Sequence, residues 1–282
     1  MKPSHSRKLM FALSVSSLLL AFFAVRSSAA ESDPSVLQAD RAFVAAAAKG
    51  DSAALGKMLD KDFTWCDTAG HVSSLADVLK TVPKDALGDE SGAQVAERTY
   101  GQVGSVQVNS GKIHILRFWI QRPGGWRLLV YHEVKQLDQP SNSPGSGIKE
   151  CENPCKMVPF QPANESEKAI IASWQALETA VTGHDSAGWA PHIADEFVQI
   201  SSNSDRPISK KDRMATLDKQ KVSGVGSAPN PLVSAKMFDF GDAIIMTCLH
   251  KTPADKQVHV SRLWNKRDGN WIMSISYQTT IE

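Results

Sequence analysis

The chain has 282 residues, 42% of them hydrophobic and 22% charged, with a formal net charge of +1. This composition excludes a disordered, collagenous or disulfide-dense chain, and it lacks the basic excess of a nucleic-acid-binding protein. The total hides a skew: residues 1–30 hold four of the 31 basic residues and none of the 30 acidic ones, so their removal turns +1 into −3.

Lys2, Arg7 and Lys8 precede an apolar run from Leu9 to Val25, and Ser28-Ala29-Ala30 follows. A basic start, an apolar middle and small residues before a cleavage point make up a secretory signal. Cleavage after Ala30 is expected. As a membrane anchor the run is short, 17 residues with three serines against the ~20 of a spanning helix. The expectation is an exported protein, periplasmic or extracellular, with no membrane segment once the signal is removed.

The rest reads as two similar halves, residues 31–137 and 164–282, around a connector at residues 138–163. Pro140-Ser141-Asn142-Ser143-Pro144-Gly145-Ser146-Gly147 is rich in breakers and suits a linker. The halves match most clearly where His114–Trp126 and His259–Trp271 both spell H-x-x-R-x-W-x-x-R-x-G-x-W, at an offset of 145. Near their starts, Lys49–Ala53 matches Gly183–Ala187 and Phe63 matches Phe197, at an offset of 134. The difference places about eleven extra residues in loops of the second half.

In chain order, Pro34 after Asp33 opens a helix that ends at Lys49 before Gly50. A short helix at Leu55–Leu59, a strand at Phe63–Cys66, a turn and a helix at Leu75–Leu79 follow. Strands are expected at Val103–Val108, Ile113–Ile120 and Trp126–Val134. The second half repeats the order. Asn164 and Glu167 have capping-box spacing, and Ile170, Ile171, Trp174, Leu177 and Val181 form one helical stripe. Short helices at Trp189–Ile193 and Lys210–Leu217 flank a strand at Phe197–Ile200. Strands then follow at Lys236–Asp239, Ala243–Leu249, Val258–Trp264 and Trp271–Tyr277. Helices first and hairpins last indicate an α+β class with helices on one face of an antiparallel sheet.

Cys151 and Cys155 in Cys-Glu-Asn-Pro-Cys suggest a local disulfide, which export permits. Cys66 and Cys248 sit in apolar runs, as small buried side chains do. There is no histidine–cysteine spacing for a metal, no phosphate loop and no dinucleotide fingerprint, so neither a metal nor a cofactor is expected.

This order, with the R-x-W-x-x-R-x-G-x-W ending and the Phe63-Thr64-Trp65-Cys66-Asp67-Thr68-Ala69-Gly70 strand and turn, resembles the nuclear transport factor 2-like superfamily. It is most similar to the exported or bacterial SnoaL-like members. The resemblance implies two tandem cone-shaped half-barrels, each with an apolar pocket between helices and a curved sheet. It also implies pairing through the outer sheet faces, as an internal pseudo-dimer or a homo-oligomer. The superfamily includes isomerases of the ketosteroid-isomerase type, cyclases and dehydratases, besides ligand-binding and assembly modules without catalysis.

An enzyme of that kind needs a proton-moving carboxylate or histidine and a donor to the developing enolate. Asp67, His71 and His132 are the candidates, with Tyr131 and Glu133 nearby in sequence. Asp67 in Asp-Thr-Ala-Gly is also an ordinary turn residue, and the second half has Ser201 and Asp205 in place of Asp67 and His71. A ligand site draws instead on Trp65, on Arg117 with Trp119, on Arg262 with Trp264, and on Tyr277. An arginine beside an indole can hold a carboxylate whose apolar part the ring covers; because the pair recurs in both halves, the favoured reading of it is arginine stacked on tryptophan to cover a sheet face. The leading expectation is non-catalytic binding of a small, partly apolar ligand. The alternatives are the isomerase-type enzyme and an assembly module.

Overall fold

The computed structural model describes residues 34–82, 90, 92–139, 150–226, 229–252 and 254–281. Residues 1–30, expected from sequence to be a signal, and Asp33 and the Pro140–Gly147 run lie outside these. The first half runs α1 (Pro34–Lys49), α2 (Ser52–Met58), β1 (Leu59–Cys66), β2 (Val72–Ser74), α3 (Leu75–Lys80), β3 (Gln94–Tyr100), β4 (Val103–Ser110), β5 (Ile113–Arg122) and β6 (Gly125–Lys135). The second runs α4 (Glu165–Thr182), α5 (Ser186–Trp189), a 3-10 turn, β7 (Ile193–Ser201), β8 (Ile208–Ser209) and α6 (Lys210–Ser223). It closes with β9 (Leu232–Asp239), β10 (Ala243–Lys251), β11 (Gln257–Arg267) and β12 (Asn270–Thr280).

Each half forms one six-stranded sheet, ordered β2-β1-β6-β5-β4-β3 and β8-β7-β12-β11-β10-β9. Both sheets are mixed, not purely antiparallel: β1 runs parallel to β6, and β7 parallel to β12. Residue patterning within a strand carries no information about a neighbour's direction, so the sequence could not reveal this. In both sheets the register shifts at the same place, between Phe118 and Trp119 and between Leu263 and Trp264. Such bulges bend a sheet and increase its twist, which gives each half its curve.

Local chemistry explains the helices. Asn164 Oδ1 accepts from Glu167 N at 2.9 Å, and Glu167 reaches back to Ala163 N at 2.7 Å, one residue earlier than a standard box. Ser74 with Asp77, and Ser209 with Asp212, form complete capping boxes at α3 and α6. Ile170, Ile171, Trp174, Leu177 and Val181 are all buried, so the stripe faces the sheet. Gly104 is where α1 touches β4: a Cβ there would lie 2.9 Å from both Val36 methyls. The described part of the connector is anchored rather than loose. Asn153 hydrogen-bonds both Leu232 N and Leu232 O, at 3.1 and 2.9 Å, and Cys151 and Cys155 are joined by a disulfide.

The concave face of each sheet packs on its own helices. The outer faces pack on each other. Leu116, Phe118, Ile120 and Val130 of the first sheet share one apolar cluster with Ile245, Leu263, Ile275 and Tyr277 of the second. His132 sits in this layer, fully buried, with its ring 6.3 Å from Tyr277, its counterpart at an offset of 145. Thr279 donates to Glu133 O at 2.6 Å, which leaves its oxygen to accept from His132 Nε2 at 3.1 Å. The Ser261 hydroxyl then donates to Nδ1 at 2.8 Å. The ring is therefore neutral and fully engaged. Burial, with His259 adding to it, pulls its pKa from 6.5 down to about 3.

That depression fixes a sign. Between about pH 6.5 and pH 3 the unfolded chain takes up a proton that folded His132 refuses, so stability falls with pH across this window. His132→Gln should flatten that acid limb by up to about 1.4 kcal/mol per pH unit, measured by urea unfolding at pH 4 to 7. An unchanged slope would place the pH sensitivity elsewhere.

Candidate functional site

Of the sequence candidates, Asp67 and His71 meet on one turn, while His132 and Tyr277 lie apart from them. Asp67 forms an exposed turn: its Oδ1 accepts from Ala69 N and His71 N, each at 2.9 Å. His71 is largely exposed, with Nδ1 3.4 Å from Asp67 Oδ2. His132 lies between the sheets, and so does Tyr277, whose hydroxyl reaches Gln107 at 3.5 Å. Neither His132 nor Tyr277 enters the interior of its own domain, because each faces the side of the strand opposite the concave one. Trp65 stacks on Tyr131 with ring centroids 3.8 Å apart.

The two Arg/Trp pairs are buried, but neither indole covers its own strand's arginine. In the first domain, Trp119 Nε1 donates to Asp40 Oδ1 at 2.9 Å. Arg117 Nε lies 2.9 Å from that same oxygen, and the arginine forms a fork with Glu90 at 2.8 and 3.1 Å. Burial alone would weaken the charge on Arg117; Asp40 and Glu90 restore it and raise its pKa. Phe43 of α1 packs against Trp65, Trp119 and Tyr131, so rings occupy this part of the interior, while a cavity of about 610 Å³ lies between α1 and β3 with Asp40 and Glu90 among its walls.

The second domain departs from this at aligned positions. Where the first has Trp65, Tyr131 and Glu133, the second has Gln199, Ser276 and Gln278. Where α1 has Asp40, α4 has Trp174. Two large rings are thus exchanged for small polar side chains, and a cavity of about 260 Å³ takes their place. Leu177 and Glu178 of α4, Trp189, Phe197, Val260 and Met273 are among its walls, and Gln199, Ser276 and Gln278 line it as well. Arg262 projects into it from β11 and Arg213 from α6. Glu178 accepts from Trp174 Nε1 at 2.8 Å.

His250 is on the same wall. Its Nδ1 pairs with Asn230 O at 2.9 Å and its Nε2 lies 3.4 Å from Cys248 Sγ. Burial, and then the charge of Arg262, hold its pKa down at about 3. It is neutral at physiological pH and too weak a base to take a proton there. Among the described residues no group of three or more His, Cys, Asp or Glu is placed to hold a metal ion.

No family model matches the chain, and no curated protein matches it. Solved structures do. The chain is similar to NTF2-like proteins. One, from Cytophaga hutchinsonii, is 16% identical with a TM-score of 0.37, over 42% of this chain and 99% of that one. Another, of unknown function, from Pseudomonas putida, is 14% identical with a TM-score of 0.33, over 40% and 85%. A protein of unknown function with a cystatin-like fold from Nostoc punctiforme is 11% identical with a TM-score of 0.34, over 43% and 95%.

Sequence reasoning missed Asp40, Glu90, Arg213 and His250. Asp40 and its replacement by Trp174 were open to it, since the repeat offset aligns them; the meaning of the exchange needed the partner arginine. Glu133 has a different character. It is 3% exposed, and burial pushes its carboxyl up to about 7, with Asp67 adding to the rise.

Two predictions follow from these environments. Asp40→Asn removes one of the two acids facing Arg117 and should cost ~3 kcal/mol, the low end for a broken buried pair because Glu90 remains. Chemical denaturation measures it, and a loss under about 1 kcal/mol would refute the pairing. Glu133 holds its proton better folded than unfolded, so its contribution fades as pH rises from about 4.5 to about 7. Glu133→Gln should therefore raise Tm at pH 8 and leave it nearly unchanged at pH 4; an equal shift at both would contradict the buried carboxyl.

Proposed function

We propose that this is an exported two-domain protein that binds a small, partly apolar ligand without transforming it. The second domain is the binding half, and the first serves as its structural partner in an internal pseudo-dimer. The observation that carries this reading is the difference between Trp65 with Tyr131 and Gln199 with Ser276, which opens the second domain's cavity at positions that two stacked rings occupy in the first. Its lining mixes apolar side chains with convergent polar and charged ones, which suits a small ligand that has both a polar and an apolar part.

Binding is favoured over catalysis because the proton-moving candidates are dispersed. Asp67 and His71 are on an exposed turn, His132 is sealed between sheets, and His250 is held neutral inside the cavity. Export rests on the N-terminal pattern, and the Cys151–Cys155 disulfide suits an oxidising compartment. Among the described residues no helix is long and apolar enough to cross a membrane.

Native mass spectrometry of protein purified gently from its own envelope fraction tests the proposal. The wild type should retain a small-molecule mass, and Ser276→Tyr, which refills the cavity with the first domain's side chain, should lose it while remaining folded. Retention unaffected by Ser276→Tyr, or no retained mass in the wild type, would argue against it.

A further inference from the structure

Arg262 is the one feature of the cavity that its own surroundings leave unexplained. It is 5% exposed, yet among the described residues its Nε, like that of Arg117, has no hydrogen-bond partner. Its Nη1 reaches only the Cys248 thiol, at 3.7 Å, and the Trp174 ring lies over its guanidinium at 4.8 Å. Sulfur is a weak acceptor, and an indole face offers a cation attraction but no lone pair. Arg117, at the aligned position, has two carboxylates. With Trp174 at the position of Asp40, the second domain has the cation without that counter-charge. Trp264 shows the same difference: among the described residues its Nε1 is buried without a partner, whereas Trp119 donates to Asp40.

A buried cation without an acid is costly, and an external anion removes the cost. We infer that the second-domain cavity is a site for a small organic monocarboxylate, its carboxylate held by Arg262 and Arg213 and its apolar body resting on Phe197, Val260 and Met273. This rests on the ligand-binding reading above and names the ligand class.

Charge and size agree. Arg213 and Arg262 face the cavity with Glu178 as the one opposing acid among its described lining residues, and His250 is neutral, so a single negative charge balances the site. A phosphate dianion would leave it overcharged and would leave the apolar wall unused. Gln199, Ser276 and Gln278 add side-chain donors. At about 260 Å³ the space falls below the ~300 Å³ where ordinary ligand clefts begin, which suits an acid of benzoate size rather than a polycyclic one.

The test titrates the full chain with benzoate and butyrate and with the neutral isostere benzamide, by calorimetry and thermal shift. Benzoate should bind and raise Tm, with benzamide at least tenfold weaker. Arg262→Met should weaken benzoate at least tenfold while leaving the ligand-free Tm equal or higher, because it removes an unpaired buried charge. A purely structural Arg262 would instead lower that Tm, as Arg117→Met should in the first domain. Arg213→Gln, on the partly buried face of α6, should weaken benzoate several-fold and keeps the test open if Arg262→Met fails to fold. Equal binding of benzoate and benzamide, both abolished by Ser276→Tyr, would overturn the carboxylate and leave the cavity as a ligand site. Failure of both acids to bind overturns the carboxylate as well. If the wild type then also retains no mass on native spectrometry, the binding reading falls with it.

Discussion

Each sheet is apolar on both sides, and much of the architecture answers to that. The central strands β5, β6, β11 and β12 are buried along most of their length, on alternate residues that face opposite ways. Helices cover one face only. The other would expose Leu116, Phe118, Ile120 and Val130 in one half and Ile245, Leu263 and Ile275 in the other as contiguous patches, which folded monomers rarely tolerate. The two faces cover each other, and the pairing follows from burial more than from any single polar contact. The contacts at its margin, such as Lys236 with Asp62 at 3.0 Å and Lys112 with the Asp205 carbonyl at 2.7 Å, set orientation within that layer.

With the outer faces engaged, the halves also differ in their interiors. In the first, Trp65, Tyr131, Phe43 and Trp119 pack together in the cone, and Asp40 and Glu90 neutralise the arginine they enclose. The second keeps the arginine and the tryptophan of the motif but loses the acid and the two filling rings. A shared motif therefore serves opposite ends. In one copy Arg117 is an internal strut; in the other Arg262 faces open space.

Much of the fold was legible in the sequence. The Asn164 cap and the stripe from Ile170 to Val181 give α4, and Asp268-Gly269 gives the β11–β12 turn, with both residues at positive φ. Edge strand β3 escaped notice because Gln94–Tyr100 is mostly exposed and has no apolar alternation. The parallel placement of β1 and β7 escaped because pairing direction leaves no mark on side-chain period. The site was less legible. Arg117 and Arg262 were visible as candidates, but identical motifs gave no hint that one is paired and the other is not. That difference is written 77 residues before Arg117 and 88 before Arg262, at Asp40 and Trp174. It acquires meaning only once α1 and α4 lie on their sheets.

The joining of the halves in one chain has a consequence for how they could change. In a symmetric pair of identical subunits, a residue on the axis meets its own copy, and every substitution is imposed on both sides at once. Here His132 meets Tyr277 instead, so the seam is made of two unlike surfaces, and a substitution in one is not imposed on the other. The connector also makes their association unimolecular, at an effective concentration that dilution cannot lower. The two interiors can therefore differ while the seam keeps both halves folded together.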